Sequence, residues 1–313
     1  MRAACRAAAV FSRLTGDKAA PQQLTPPSDP LAYNGAIPDG VIQMKPLLLG
    51  LAIAAATAAA GCATTTSPTG RTQYVGAVSQ QQLNQLGAQA FAQLKTEKQQ
   101  SSDARQTGYV RCVVGAIVRE LPAQWQSTGW ETAVFVDNEP NAFALPGGKV
   151  GVYTGIFKVA RNQDQLAAVI AHEIGHVVSR HHDERLTRQA GAQGALQIVG
   201  ALLGSRYGEG AANAAVQGGS VLAQTGFLLP GSRAQETEAD VVGQQLMAKA
   251  GFDPREAVNL WQNMIEAGGS RPPQWLSTHP DPQSRIGELR DRAAGLVPTY
   301  EQARSGGRRP NCG

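Results

Sequence analysis

The stretch that decides the fold is AVIAHEIGHVVSRHH, residues 168–182, which contains four of the five histidines of the chain. His172, Glu173 and His176 form the pattern H-E-x-x-H inside a run of apolar residues that recur at helical spacing. Histidines four positions apart lie on one face of a helix, so both imidazoles can bind the same ion. The stretch therefore predicts a buried helix that carries a zinc site.

The residues around this pattern support the same interpretation. Glu173 is rotated by about 100° from His172 and can lie beside a metal without binding it, as the base of a metalloprotease must. Gly175 leaves room for a neighbouring backbone. The alternative is an exposed helix with incidental histidines, but buried histidines beside a buried acid need partners or a metal. We expect His181 and His182, in a charged run, to lie at a solvated helix end.

A catalytic zinc needs three protein ligands, and the third is expected on another helix. The stretch SRAQETEAD, residues 232–240, places Glu236 and Asp240 on one helical face, while Glu238 points elsewhere. One of the two can bind zinc while the other accepts the free N–H of a ligand histidine. The alternative is a solvated acidic helix start, which the helix dipole would favour.

The rest of the chain predicts an α+β fold, mainly helical, with a small antiparallel sheet. Hydrophobic residues make up 42 % and charged residues 17 % of the 313, as in globular proteins. A net charge of +4 without a Lys/Arg stripe argues against a nucleic-acid partner. Apolar residues at helical spacing predict helices at 78–98 and 103–121. Capping signals predict that four further helices begin at Asn162, Ser232, Asp253 and Asp281. Strands are predicted at 130–136 and on both sides of a turn within 141–153.

The N-terminal part indicates export and lipidation. Residues 44–61 have the short positive start and apolar run of a signal peptide, and small residues precede Cys62 as in a bacterial lipobox. An Ala-rich buried helix is the alternative. We expect residues 1–43 to be a non-native or disordered extension, with a mitochondrial presequence as the rival interpretation, and residues 62–74 to be the lipidated cysteine and its tether.

Residues 75–297 are expected to form the enzyme domain and residues 298–313 a flexible tail. Cys112 and Cys312 could pair in an oxidising compartment, or Cys112 could be a buried free thiol. The Gly/Ala-rich residues 189–230 are interpreted as loosely packed helices, with a mobile cover over the cleft as the alternative.

Four motifs in this order, NAFALPGGKVGVYTG, HEIGH, SRAQETEAD and STHPDPQSRI, resemble the zinc metallopeptidases of family M48. The similarity extends over about residues 75–295. It implies that His172, His176 and Glu236 bind one zinc ion, that Glu173 is the general base, and that Asp240 contacts a ligand histidine.

The resemblance assigns further residues to the active site. It implies that Asn141, Ala142, Phe143 and Ala144 form the strand that lines the cleft and pairs with an extended peptide. His279 is implied near the zinc, where it either stabilises the oxyanion or occupies the open zinc position in a resting form. Arg285 belongs to the same motif, which gives it no firm role.

Without transmembrane helices after the signal or TPR repeats, the chain resembles the periplasmic branch of the family. This branch implies a zinc endopeptidase, lipid-anchored to the outer membrane, that cleaves misfolded or stalled envelope proteins in quality control. Outer-membrane assembly machinery is a candidate partner, and an inner-membrane or mitochondrial location is the alternative. A second hypothesis is a periplasmic chaperone or assembly factor whose zinc site is latent or structural.

Overall fold

The computed structural model describes residues 63–191, 232–268, 274–279 and 282–313. The predicted extension, the signal peptide, Cys62 and most of the segment 189–230 lie outside the described residues. No helix of the described ranges is long and apolar enough to cross a membrane.

The described chain is mainly helical with two small sheets, which confirms the α+β prediction. Its helices are α1 Gln80–Glu97, α2 Ala104–Val118, α3 Ala123–Gln126, α4 Gln163–Val178, α5 over residues 181–191, α6 Arg233–Ala250, α7 Glu256–Gly268, α8 Gln274–Thr278 and α9 Pro282–Ser305. A 3₁₀ helix spans Thr154–Lys158. Strands β1 Ala63–Thr66 and β2 Thr72–Val75 pair with each other.

The second sheet contains β3 Glu131–Phe135, β4 Ala142–Leu145 and β5 Lys149–Tyr153 in the order β3-β5-β4. The predicted strand–turn–strand is present, with Gly147 (φ 79°) and Gly148 (φ 71°) in the turn. The sheet is mixed rather than antiparallel, because β3 runs parallel to β5. After β3, residues 136–141 lead the chain to β4, which lies one strand position away from β3. The tight turn then places β5 in the position between them.

Helix α4 is the centre of the core, because every residue from Gln165 to Val178 is buried. It packs against α2, α6, α7 and β4. A Cβ on Gly175 would lie 2.9 Å from the carbonyl oxygen of Ala239, and one on Gly243 would lie 3.0 Å from the amide nitrogen of His172. The close backbone approach predicted from Gly175 is therefore confirmed, and it brings the acids of α6 next to the histidines of α4.

Local capping signals place the ends of both helices. The Asn162 side chain accepts a hydrogen bond from the Gln165 amide at the start of α4. Ser232 and Gln235 form a complete capping box at the start of α6, and Gly251 ends that helix with φ 86°. Because these caps fix where α4 and α6 begin, they fix which residues of the two helices face each other.

Residues 298–313, expected to form a flexible tail, begin inside a helix. Helix α9 continues through Pro298 to Ser305, and Arg308 then pairs with Glu120 at 2.6 Å. Cys312 forms a disulfide with Cys112 on α2, which resolves the two alternatives for that cysteine. The polar composition of the tail suggested fraying, but a covalent link and an ion pair hold it against the domain.

Candidate metal centre

Four buried side chains bring their ligand atoms together next to α4. They are His172 and His176 of α4, Glu236 of α6 and His279 just after α8, and their ligand atoms all lie within 4.8 Å of one another. The Nε2 atoms of His172 and His176 are 3.1 Å apart. The Glu236 carboxylate lies 3.4 Å from the first of these nitrogens and 3.6 Å from the second. The three ligands predicted from the sequence thus converge, and His279 joins them.

The chemistry of this group fits a zinc ion. Imidazole nitrogens and a carboxylate are the donors that zinc binds in proteins. Glu236 Oε1 is buried and has no hydrogen-bond partner among the described residues, a costly arrangement unless a cation satisfies the oxygen. Burial would raise the pKa of Glu236, but the neighbouring histidines, including His172 with its hydrogen bond to the carboxylate, outweigh burial and hold the pKa below its usual value. The carboxylate is therefore ionised, as a metal ligand must be.

The histidines differ in their electrostatics. Burial lowers the pKa of His176 and of His279, so both rings are neutral and can donate a lone pair. Burial also acts to lower the pKa of His172, but hydrogen bonds with Asp240 and Glu236 outweigh it and raise this pKa to about 9. Metal binding at His172 must therefore displace a proton.

Behind His172, Asp240 and Arg285 form a buried ion pair. Asp240 Oδ1 lies 2.9 Å from His172 Nδ1, on the side of the ring away from the ligand group. Arg285 donates to both oxygens of Asp240 at 2.7 Å and to Glu236 at 3.1 Å. The Arg285 guanidinium also lies 4.0 Å from the ring centroid of Trp261. Asp240 thus lies where it was predicted, and Arg285 gains a role that the sequence did not give it.

Behind His176, the structure places residues that the sequence did not single out. His181 Nδ1 lies 2.7 Å from His176 Nδ1, and His181 Nε2 lies 3.1 Å from Glu238. Glu238 in turn contacts Arg71, in the loop between β1 and β2, at 2.8 Å. Glu238 thus lies outside the ligand group, as expected, but it is connected to the second ligand histidine through His181.

The predicted solvated position of His181 and His182 is also wrong, because both rings are almost fully buried. Arg180 adopts a positive φ of 55° after α4, so α5 starts in a new direction and its first turn is covered. Such a φ is uncommon outside glycine, and Arg180 gives no sequence signal for it. Charged residues of this run can be buried because they form ion pairs. Asp183, for example, pairs with Arg180 at 2.6 Å.

Glu173 lies beside the ligand group and is not part of it. Its Oε1 lies 3.3 Å from His279 Nε2 and accepts a hydrogen bond of 2.8 Å from the indole N–H of Trp275. His279 Nδ1 lies 2.8 Å from the backbone oxygen of Trp275. Trp275 was not predicted, although a tryptophan four residues before His279 could have been noticed as its neighbour on a helical turn.

The predicted cleft strand is the outer strand of the three-stranded sheet. Ala142, Phe143 and Ala144 lie in β4, which pairs with β5 on one side, and the Asn141 carbonyl accepts from the Tyr153 amide at 2.9 Å. Among the described residues, no strand pairs with the other side of β4. These four residues therefore lie along a strand edge next to α4.

Comparison with known proteins assigns the family. Residues 104–293 match the model of Peptidase family M48. The chain belongs to this family. It is 39 % identical over 164 residues to the mitochondrial metalloendopeptidase OMA1 of Schizosaccharomyces pombe, which covers 52 % of this chain and 46 % of the relative. It is 30 % identical over 226 residues to the beta-barrel assembly-enhancing protease of Escherichia coli, which covers 70 % of this chain and 45 % of the relative.

The chain thus spans about half the length of these relatives. Membership of this family confirms the resemblance drawn from the four motifs. Zinc is the metal of this family, and the buried group of three histidines and Glu236 is able to bind it.

Proposed function

We propose that the chain is a zinc-dependent endopeptidase of the bacterial cell envelope, with His172, His176 and Glu236 as the zinc ligands and Glu173 as the general base. The observation that supports it most is the buried ligand group with an orphaned Glu236 oxygen and the Glu173 carboxylate immediately beside it. A structural zinc site would have no use for the additional carboxylate.

The side chains of the centre divide the work of peptide hydrolysis. When bound, zinc polarises the scissile carbonyl and makes a water molecule acidic. Glu173 takes the proton of that water on a carboxylate oxygen and later gives it to the leaving amine. The indole N–H of Trp275 holds one oxygen of Glu173 in place at 2.8 Å, which leaves the other oxygen to carry the proton.

His279 would supply a fourth ligand to a bound zinc ion in a resting form of the site. A backbone oxygen can only accept, so the contact of His279 Nδ1 with Trp275 places a proton on Nδ1. A neutral His279 then presents a bare Nε2 to the ligand group, which suits a metal ligand and cannot donate to an oxyanion. Of the two roles left open for His279, the hydrogen bonds favour this one.

Substrates are proposed to bind as extended strands along Asn141, Ala142, Phe143 and Ala144. The side of β4 that no described strand pairs with offers backbone groups for strand addition, and the burial of this strand next to α4 supports its place by the cleft. Misfolded or stalled envelope proteins are the proposed substrates. The name of the Escherichia coli relative, a beta-barrel assembly-enhancing protease, supports this class and outer-membrane assembly machinery as partner.

A lipid anchor at Cys62 is proposed to hold the enzyme at the periplasmic face of the outer membrane. The disulfide between Cys112 and Cys312 supports an oxidising compartment such as the periplasm. An inner-membrane or mitochondrial location is the alternative, and the similarity to a mitochondrial metalloendopeptidase favours the second of these.

The competing function is a chaperone or assembly factor with a latent zinc site. The observation in its favour is His279, whose inclusion in the ligand group would fill the position that a substrate or water needs. In that case peptide cleavage is not the task of the folded chain, and Glu173 has no catalytic role.

Glu173→Gln separates the two functions. For a peptidase, cleavage of an unfolded model protein should fall about 10²–10⁴-fold, because proton transfer by the carboxylate is lost. Bound zinc and the unfolding midpoint should stay unchanged. Glu266→Gln is the matched control, since Glu266 is exposed and pairs only loosely with Arg161 at 3.7 Å. Equal cleavage by both variants, or equal suppression of aggregation without cleavage in the wild type, would favour the chaperone.

A further inference from the structure

The buried polar groups behind His176 form a connected relay that the peptidase mechanism does not use. We propose that His181 is a positioning residue for His176, and that the loop of residues 67–71 between β1 and β2 sets the orientation of His181 through Glu238. This inference rests on the proposed zinc site, since it concerns how one of its ligands is held.

The hydrogen bonds of the relay fix the proton on each ring. His176 turns its Nε2 toward His172 and Glu236, so Nε2 supplies the lone pair for a metal and Nδ1 carries the proton. This Nδ1–H lies 2.7 Å from His181 Nδ1, which must therefore accept. The proton of His181 then sits on Nε2 and points at a Glu238 oxygen 3.1 Å away. Every donor in the series meets an acceptor, and the rings of both histidines are buried.

The relay orients and strengthens the ligand. A histidine that donates its second N–H to a fixed acceptor is held in one tautomer and one ring orientation, and it becomes a more basic ligand. A carboxylate usually accepts this hydrogen bond directly, as Asp240 does for His172. At His176 the neutral ring of His181 is placed between the ligand and the Glu238 carboxylate.

The β1–β2 loop holds the far end of the relay. Glu238 Oε1 accepts from the Thr69 hydroxyl at 2.7 Å, and Oε2 accepts from Arg71 Nε at 3.0 Å. Arg71 also donates two hydrogen bonds of 2.8 Å to Glu184 on α5. Gln235 of α6 donates to the same Glu184 at 2.9 Å. The loop thus joins α5, which carries His181, to α6, which carries Glu238.

This arrangement connects the loop of residues 67–71 with the metal centre. Residues 67–71 follow closely after Cys62, and their contacts with Glu238 decide whether the carboxylate stays aligned with His181. Displacement of the loop would remove the contacts of Glu238 with Thr69 and Arg71, leave its hydrogen bond with the neutral His181 ring, and loosen the His176 ring. The zinc affinity should therefore depend on Glu238 and on the loop of residues 67–71, although neither is proposed to contact the metal.

The first test compares zinc affinity in the full chain carrying His181→Ala or His181→Asn. Zinc affinity is measured by competition with a chelator, and the cobalt-substituted absorption spectrum reports ligand geometry. We expect His181→Ala to bind zinc about 10- to 100-fold more weakly, the usual cost of losing such a partner. His181→Asn should restore most of the affinity, because its amide oxygen can accept from His176 Nδ1.

Thr187→Ala is the matched control for the first test. Thr187 is buried on the same helix, donates to Asp183 at 3.2 Å and accepts from the Ala77 amide at 3.1 Å. Its loss should lower the unfolding midpoint without changing zinc affinity. An affinity of His181→Ala within about twofold of wild type, or an equal loss in Thr187→Ala, would overturn the inference. A folded wild type that binds no zinc would instead overturn the proposed function, and the inference with it.

The second test addresses the loop. Arg71→Ala removes the cation from Glu238 and should weaken zinc binding by about twofold to tenfold, less than His181→Ala, because the change lies two residues further from the ligand. Arg188→Ala is the control, since Arg188 pairs with Glu184 at 3.8 Å, whereas the described contacts of Glu238 are with other residues. Equal zinc affinity in Arg71→Ala and wild type would overturn the part of the proposal that involves the loop.

Discussion

The two ligand histidines of α4 are supported from behind in different ways. Asp240, four residues after Glu236 on the same helix, holds His172. His181, after a change of chain direction, holds His176, and Glu238 and Arg71 support it in turn. One support could be predicted from helical spacing, and the other depends on three segments that meet only in the folded chain. Two residues that support ligand histidines in the same way can thus differ greatly in how easily they are predicted from a sequence.

Among the variants that test these two supports, Arg285→Ala is expected to lower stability most. Arg285 contacts Asp240 and Glu236 in a buried position, so its loss leaves His172 as the one remaining cation described beside the two acids, and we expect stability to fall by about 3–5 kcal/mol. Urea unfolding measures this loss. Arg292→Ala on the same helix is the control and should cost at most about 1 kcal/mol, because its pair with Glu288 is partly exposed at 3.8 Å. Similar midpoints for the two variants would contradict the account of the His172 side.

Gly175→Ala tests whether both supports depend on the close approach of α4 and α6. The added methyl group would meet the Ala239 carbonyl at 2.9 Å, so we expect a loss of about 1–3 kcal/mol and weaker zinc binding. Gly115→Ala is the control in α2, where a Cβ meets only the Arg119 side chain at 3.8 Å. That variant should be neutral or more stable by up to about 1 kcal/mol, since alanine favours a helix over glycine. A neutral Gly175→Ala would show that the helices can separate without cost.

Acid sensitivity should reveal the His176 side. Burial would raise the pKa of Glu238, but hydrogen bonds from His181, Ser67, Thr69 and Arg71 outweigh it and lower the pKa to about 2. A carboxylate with a lowered folded-state pKa stabilises the protein above its unfolded value of about 4.5 and loses this contribution as the pH falls toward 2. The stability difference between wild type and Glu238→Gln should therefore shrink over this range. A difference that is constant from pH 5 to pH 2.5 would contradict the assigned contacts.

The smallest change in stability is expected from an ion pair at the surface, which serves as a reference for the buried ion pairs. Lys95 pairs with Glu131 at 2.6 Å, but both side chains are partly exposed. Lys95→Ala should change stability by less than about 0.5 kcal/mol and leave zinc affinity unchanged. Thermal unfolding with and without zinc checks both values, and a loss comparable to that of Arg285→Ala would mean that burial does not decide these energies.

Periodicity and capping predicted much of the fold and the ligand group. The spacing of His172 and His176 placed two ligands, and the capping box at Ser232 fixed the register that brings Glu236 to them. The family resemblance added His279. These features are local, so a sequence records them directly.

The missed features are those in which distant segments meet. Arg71 reaches Glu184 across 113 positions. The pairing of Cys112 with Cys312 across 200 positions could be given only as one of two alternatives. The burial of His181 follows from the positive φ of Arg180, a residue that normally avoids this conformation. The parallel pairing of β3 with β5 depends on whether β5 pairs between β3 and β4 or on the outer side of β4 after the turn. None of these has a sequence pattern of its own.

The most direct test of the central claim is the zinc content of the folded full chain beside that of Glu236→Gln, measured by mass spectrometry. Glu236 supplies the carboxylate of the ligand group, and its Oε1 has no hydrogen-bond partner among the described residues that could replace a metal. The account predicts one zinc per chain in the wild type and little or none in Glu236→Gln. A folded wild type without zinc, or a variant that keeps its zinc at wild-type affinity, would contradict it.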